Sequence, residues 1–200
     1  MRQPLVVGIT GASGVVYGIR LLEVLRDHAE VATHLVLTKP AERTIAEETA
    51  WDLNAVRALA AVVHPVGDVG ASIASGSFLT MGMVVVPCSI RTASAVAYCQ
   101  ADNLLTRAAD VTLKEGRKLV LVVREAPLHR GHLKVLLAAS ENGAVILPPM
   151  PAFYTMPQSV AEIVDHTVAR ILDQLGIAHE LSGRWGSATV VSDQGSPKSS

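Results

Sequence analysis

The chain carries short segments that are apolar at every position, each followed by a stretch with helical spacing. Residues 83–86 and 119–123 are built only of Met, Val and Leu. A strand with no polar face must be covered on both sides, which places such segments in a parallel sheet between two helical layers. Residues 5–9, 31–37 and 144–147 read as further strands, with a short one near Val62 and Val63. Helical periodicity runs over 15–25, where Val15, Ile19, Leu22 and Leu25 share one stripe. A second helix covers about 40–50, with Pro40 tolerated in its first turn. Others are predicted over 92–99, over 103–114 with Asp102 as its cap, over 132–140 and over 159–175. In the last of these Val160, Val164, Val168, Ile171 and Leu175 form the stripe. Residues 51–74 are harder to assign, and 75–78 and 148–151 read as loops. The alternation predicts a doubly wound α/β fold of three layers with a mainly parallel sheet. One domain over 1–191 is expected, with a polar, disordered tail from 192.

The chain has 200 residues, half of them hydrophobic and 18% charged, which suits one domain with a sizeable core. A formal net charge of -1 gives no electrostatic case for nucleic acid or an anionic membrane. Cys88 and Cys99 form no metal or disulfide pattern, which fits a reducing cytoplasm. The apolar run near the N-terminus is too short for a signal peptide or a membrane span, so a soluble cytoplasmic protein is expected.

In a doubly wound sheet ligands bind beyond the carboxyl ends of the strands. Ser13, Thr38, Ser89, Arg124 and the loop before Tyr154 all fall there. The first such place is Gly8-Ile9-Thr10-Gly11-Ala12-Ser13-Gly14, a glycine turn leading into a helix. Glycines allow close approach of a phosphate, and a helix N-terminus favours negative charge. The same spacing also suits a dinucleotide, but such a site wants an acidic residue at the end of the second strand. Here that strand ends in Thr38-Lys39, and no Tyr-x-x-x-Lys pair follows Tyr98 or Tyr154, so a mononucleotide fits better. A second strand-to-helix turn, 87–92, carries the hydroxyls of Ser89 and Thr92, which could hold a polar group or merely cap the helix. Arg124-Glu125 follows a buried strand, where charges are costly unless used or paired. Lys114 and Arg117 close a helix and read first as capping charges. His129-x-x-His132 lacks a third metal ligand, no Gly-x-Ser-x-Gly elbow exists, and Cys88 reads as a small buried apolar residue.

Together these segments resemble the flavin prenyltransferase (UbiX-type) family. The resemblance is carried by 10–14, 75–77, 87–89, 102–105, 107–111, 113–115, 119–122, 124–128, 143–146, 151–154, 157–159 and 184–186, in order and at the family's spacing. It implies a flavodoxin-like domain, a homo-oligomer that is a dodecamer, and no metal. It implies transfer of a dimethylallyl group from dimethylallyl phosphate to N5 and C6 of reduced FMN. The prenylated FMN would serve a partner UbiD-type decarboxylase acting on aromatic or unsaturated acids.

By position, the resemblance implies FMN contacts from Gly11, Ala12, Ser13, Thr38, Ser89, Ile90, Arg91, Thr92 and Arg124. It puts Lys114, Arg124, Tyr154 and Arg170 on the dimethylallyl phosphate, and Ser13, Glu48, Glu125 and Trp185 in the catalytic set. Glu125 would handle protons during ring closure and Trp185 would face the allylic cation, roles that suit a carboxylate among cations and an aromatic face. Clustered Arg and Lys suit a departing phosphate. Thr38 stands where Ser is more usual and Gly116 where Arg is frequent. Two other readings stay open from the residues: a flavoprotein that oxidatively decarboxylates a cysteine, for which the Pro-x-Met-Asn-type motif is absent, and an FMN-carrying subunit of a decarboxylase.

Overall fold

The computed structural model describes residues 2–181. Six strands alternate with helices: β1 (Gln3–Ile9), α1 (Val15–Arg26), β2 (Val31–Leu37), α2 (Lys39–Glu48), α3 (Leu53–Ala58), β3 (Val62–His64) and β4 (Gly82–Cys88). Then come α4 (Ile90–Ala97), α5 (Leu104–Lys114), β5 (Leu119–Val123), α6 (Arg130–Glu141), β6 (Val145–Ile146) and α7 (Val160–Leu175). The strands form one sheet in the order β3-β2-β1-β4-β5-β6, and every pairing is parallel. The order reverses between β1 and β4, and a doubly wound sheet opens its ligand crevice at that point.

The wholly apolar strands have the predicted cause. Val84, Val86, Val120 and Val122 face a core shared with α1 and α7, including Ile19, Leu22, Val168 and Ile171. Met83, Val85, Leu119 and Leu121 face a second core with Ala93, Leu105 and Ala139 from the opposite helical layer. Gly18 lets α1 lie close to the sheet, because a Cβ there would run into the Val86 carbonyl oxygen and the Ile9 side chain.

Several expectations need correcting. Residues 51–74 hold α3, capped by Asp52, as well as the expected short strand. Asp102 does not cap α5. Asn103 does, accepting from Thr106 N–H while its own N–H reaches Thr106 Oγ1, a reciprocal arrangement that the neighbouring Asp102 cannot supply from one residue earlier. α4 starts at Ile90 rather than Thr92, with Ser89 as its cap. Val160 is 75% exposed and leaves the α7 stripe, since the first turn of the helix overhangs the core. The tail from 192 lies outside the described residues. Among the described residues no helix is long and apolar enough to cross a membrane.

Candidate functional site

At the end of β1 the chain turns on Gly14, which takes φ +98°, a left-handed conformation that a side chain would strain. Its N–H donates to Glu48 Oε2 at 2.8 Å, so the last residue of α2 supplies a carboxylate to the start of α1. Burial alone would push the Glu48 carboxyl up. Bonds from the Ser13 hydroxyl and the Gly14 and Val15 N–H groups, with the nearby Arg124 charge, hold it below its ordinary range. The helix N-terminus expected to favour an anion already has one of its own.

The two turns flanking the crevice are tied together by Thr10. This side chain is buried, and its hydroxyl donates to the Pro87 carbonyl at 2.8 Å while accepting the Ser89 N–H at 2.8 Å. Ser89 Oγ in turn accepts the Thr92 N–H at 3.3 Å and lies 3.1 Å from the Thr92 hydroxyl. On one side Thr38 N–H bonds the Ile9 carbonyl at 3.1 Å, and its hydroxyl caps α2 by accepting from Ala41 N–H. On the other, Arg124 N–H bonds the Cys88 carbonyl at 3.1 Å. Ile90 and Arg91 line an open hollow of about 500 Å³, faced by Ser94, Tyr98, His129 and His132.

Arg124 is exposed and forms no ion pair among the described residues. Its charge reaches Glu48 and Tyr17, and Tyr17 is pushed up by burial against the lowering influence of Thr167 and Arg124. Glu125 is half-buried beside it and accepts the Ala126 N–H at 3.2 Å. Cys88 is fully buried, with a thiol pushed up to about 12 by burial, which suits packing rather than nucleophilic attack. His129 caps α6 by accepting the Gly131 N–H, and its ring lies tilted against that of His132 with centroids 3.6 Å apart.

Gly11, Ala12, Ser13, Thr38, Glu48, Ser89, Ile90, Arg91, Thr92, Arg124 and Glu125 therefore sit around one crevice. Lys114 does not join them within a single chain. It ends α5 just before β5 begins, whereas Arg124 follows the end of β5, and five strand residues span about 16 Å. Arg170 lies ten residues down α7 from Val160, about 15 Å along the helix, and pairs with Asp173 at 2.6 Å. Val160 and Val16 line one hollow and Gly176 and Gln3 line another, so α7 runs from the start of α1 toward the start of β1 and carries Arg170 away from the glycine turn. Tyr154 points its hydroxyl at His166 Nε2, 3.2 Å away. Trp185 lies outside the described residues.

A family model described as Flavoprotein matches residues 1–172. The flavin prenyltransferase UbiX of Escherichia coli K12 is 54% identical over 186 residues, covering 92% of this chain and 98% of that protein. The chain belongs to the UbiX family of flavin prenyltransferases. Among solved structures, AnUbiX (PadA1) in complex with FMN and dimethylallyl pyrophosphate superposes with a TM-score of 0.90 at 46% identity, covering 92% of this chain and 98% of that one. A dodecameric FMN-dependent UbiX-like decarboxylase from Escherichia coli O157:H7 gives 0.89 at 51% identity, covering 91% and 98%. The flavodoxin-like, doubly wound expectation and the family resemblance both hold. Within this UbiX-family site, the role of Thr10 escaped the sequence reading. Its signal is a β-branched hydroxyl residue at the end of an apolar strand, where glycines alone would make the turn.

Proposed function

We propose that this protein transfers a dimethylallyl group from dimethylallyl phosphate to N5 and C6 of reduced FMN. The observation carrying this reading is an Arg124 without an ion pair among the described residues, with Glu125 next to it, at a crevice edged by two turns that Thr10 fixes to each other. The residues fit FMN: Gly11 to Ser13, Thr38 and Ser89 to Thr92 offer hydroxyls and a glycine turn on two sides of the crevice. Reduced FMN supplies the nucleophilic ring positions. Arg124, with Lys114, Tyr154 and Arg170, stabilises the phosphate as its C–O bond to the allyl group breaks and the electron pair leaves with it. Glu125 handles the protons of ring closure, passing one to the allyl double bond as it bonds to C6 and taking up the one that C6 loses, and Ser13 with Glu48 holds the turn at the reacting edge. By the family resemblance, the aromatic ring of Trp185 would stabilise the allylic cation.

Lys114 and Arg170 lie far from Arg124 along their own chain, so the complete site draws them from neighbouring copies in a homo-oligomer, a dodecamer by analogy with the UbiX-like relative. The protein works in the cytoplasm, requires no metal, and hands prenylated FMN to a UbiD-type decarboxylase. Anaerobic incubation with reduced FMN and dimethylallyl phosphate tests the reading by the mass of the flavin product. A folded, FMN-binding protein that leaves the flavin mass unchanged overturns it.

A further inference from the structure

The Lys114 end of α5 is built more closely than a helix terminus with two capping charges requires. Arg117, just past the helix, folds over the loop that precedes β4. Its Nη1 donates to the Phe78 carbonyl at 2.9 Å and lies 3.5 Å from Thr80 Oγ1, while Nη2 donates to the Gly76 carbonyl at 2.7 Å. One planar guanidinium gripping two carbonyls fixes the orientation of the turn as well as its position, which a lysine ammonium cannot do. Within the turn the Ser75 and Ser77 hydroxyls are 2.9 Å apart.

The gripped turn lies directly against an ion pair between Lys114 and Glu115. A Cβ added at Gly76 would lie 2.7 Å from Glu115 Cδ and 2.9 Å from Lys114 Nζ, so only a glycine lets the turn close on the pair. The far side of the loop is fixed too. The Phe78 ring packs 5.3 Å from His34, which stacks on His64 and shares a 2.9 Å hydrogen bond with it. Phe78 thus belongs to two anchors, through its ring and through its carbonyl.

We infer that Arg117 is a positioning residue: it clamps the turn 75–78 against the Lys114–Glu115 pair and so sets where the Lys114 ammonium stands when a neighbouring copy presents the phosphate. This rests on the phosphate-binding role proposed above for Lys114. Glu115 keeps the ammonium oriented, and Gly76 gives the turn its close approach. Arg117 itself touches neither the flavin nor the prenyl donor.

The test compares wild type with Gly76→Ala, Arg117→Gln and Arg117→Lys. A Cβ at Gly76 meets only the far ends of two flexible side chains, so Gly76→Ala keeps its fold while displacing the ammonium. The KM for dimethylallyl phosphate should rise about tenfold in Gly76→Ala and Arg117→Gln, the scale of one lost charge-assisted bond. Arg117→Lys should recover part of the loss by keeping one carbonyl contact, and the Kd for FMN should stay unchanged in all three. An unchanged KM in both Gly76→Ala and Arg117→Gln overturns the inference. So does a parallel loss of FMN affinity, which marks a general defect of the fold. If wild type itself makes no prenylated flavin, the proposed function fails, and the rate of Lys114 acetylation by acetic anhydride, read by peptide mass, decides the positioning separately. A severalfold faster rate in the two variants supports the clamp, and an unchanged rate overturns it.

Discussion

The two ends of the sheet treat their cations in opposite ways. Beyond the carboxyl ends of the strands, Arg124 is exposed without an ion pair among the described residues, next to turns whose backbone is locked by Thr10. At the amino ends, Lys114 is matched to Glu115, and Arg117 directs its donors to the carbonyls of Gly76 and Phe78. One end offers a ready charge on a rigid frame, while the other holds a charge already balanced. A site assembled from the carboxyl end of one copy and the amino end of another combines strong attraction with exact placement of the second cation. A free surface cation is worth little in water, so the difference becomes energetic only when the assembly excludes solvent around both.

The comparison is broken most severely at Glu125. Glu125→Gln should lower kcat for prenylated FMN by about a hundredfold to ten-thousandfold, the range for removing a general acid or base, with FMN affinity nearly unchanged. A single-turnover mass assay reads the first and flavin fluorescence titration the second. Wild-type turnover in this variant would remove the proton-handling role.

Thr10→Val comes next. The substitution keeps the shape but leaves the Ser89 N–H without its partner and the Pro87 carbonyl with only the main-chain N–H of residue 10, so stability should fall by about 1–3 kcal/mol in urea unfolding, with weaker FMN binding. A variant as stable as wild type, with the same FMN Kd, would show that the two turns hold their positions without the shared hydroxyl.

A smaller effect is expected from pH at the histidine anchor. Burial first, and then the neighbouring His64, lowers His34; burial lowers His64 against an opposing pull from Asp68. The unfolded chain therefore takes up protons at a higher pH than the folded one. The contribution of the pair is complete above the unfolded value of about 6.5 and is lost as the pH falls below it. Urea midpoints should drop between pH 7.5 and 5.5, and His64→Gln should flatten that slope; equal slopes in the two proteins would show that other groups set it. Least in size is Glu115→Gln, which leaves the Lys114 charge in place and should change the KM for dimethylallyl phosphate only severalfold. A change as large as that of Arg117→Gln would mean that the carboxylate, not the clamp, sets the ammonium.

The sheet was legible because its strands are apolar on both faces. The 31–37 and 119–123 segments agree with the observed strands residue for residue, and β1 differs only by two residues at its start. The α5 cap was misread because Asp102 and Asn103 are both good caps in isolation, and only the partner at Thr106 selects between them. Residues 51–74 resisted because a six-residue helix and a three-residue strand are too short to show a period. The crevice could be located from where polar residues follow strands. Its wiring could not, since Thr10 to Pro87 and Gly14 to Glu48 span 77 and 34 residues of sequence. Likewise Arg117 carries no signal that it will reach back 41 residues to Gly76 rather than sit at a helix end.

The separation of Lys114 from Arg124 by the length of β5 has a genetic consequence. If each catalytic centre takes its arginine from one copy and its lysine from another, a Lys114→Ala chain and an Arg124→Ala chain are each inactive alone yet complement each other. Dissociated, mixed and reassembled, the two dead proteins would regain a fraction of sites in which an intact arginine meets an intact lysine. Two alleles damaged at opposite ends of the sheet could in this way support growth together where neither does so by itself.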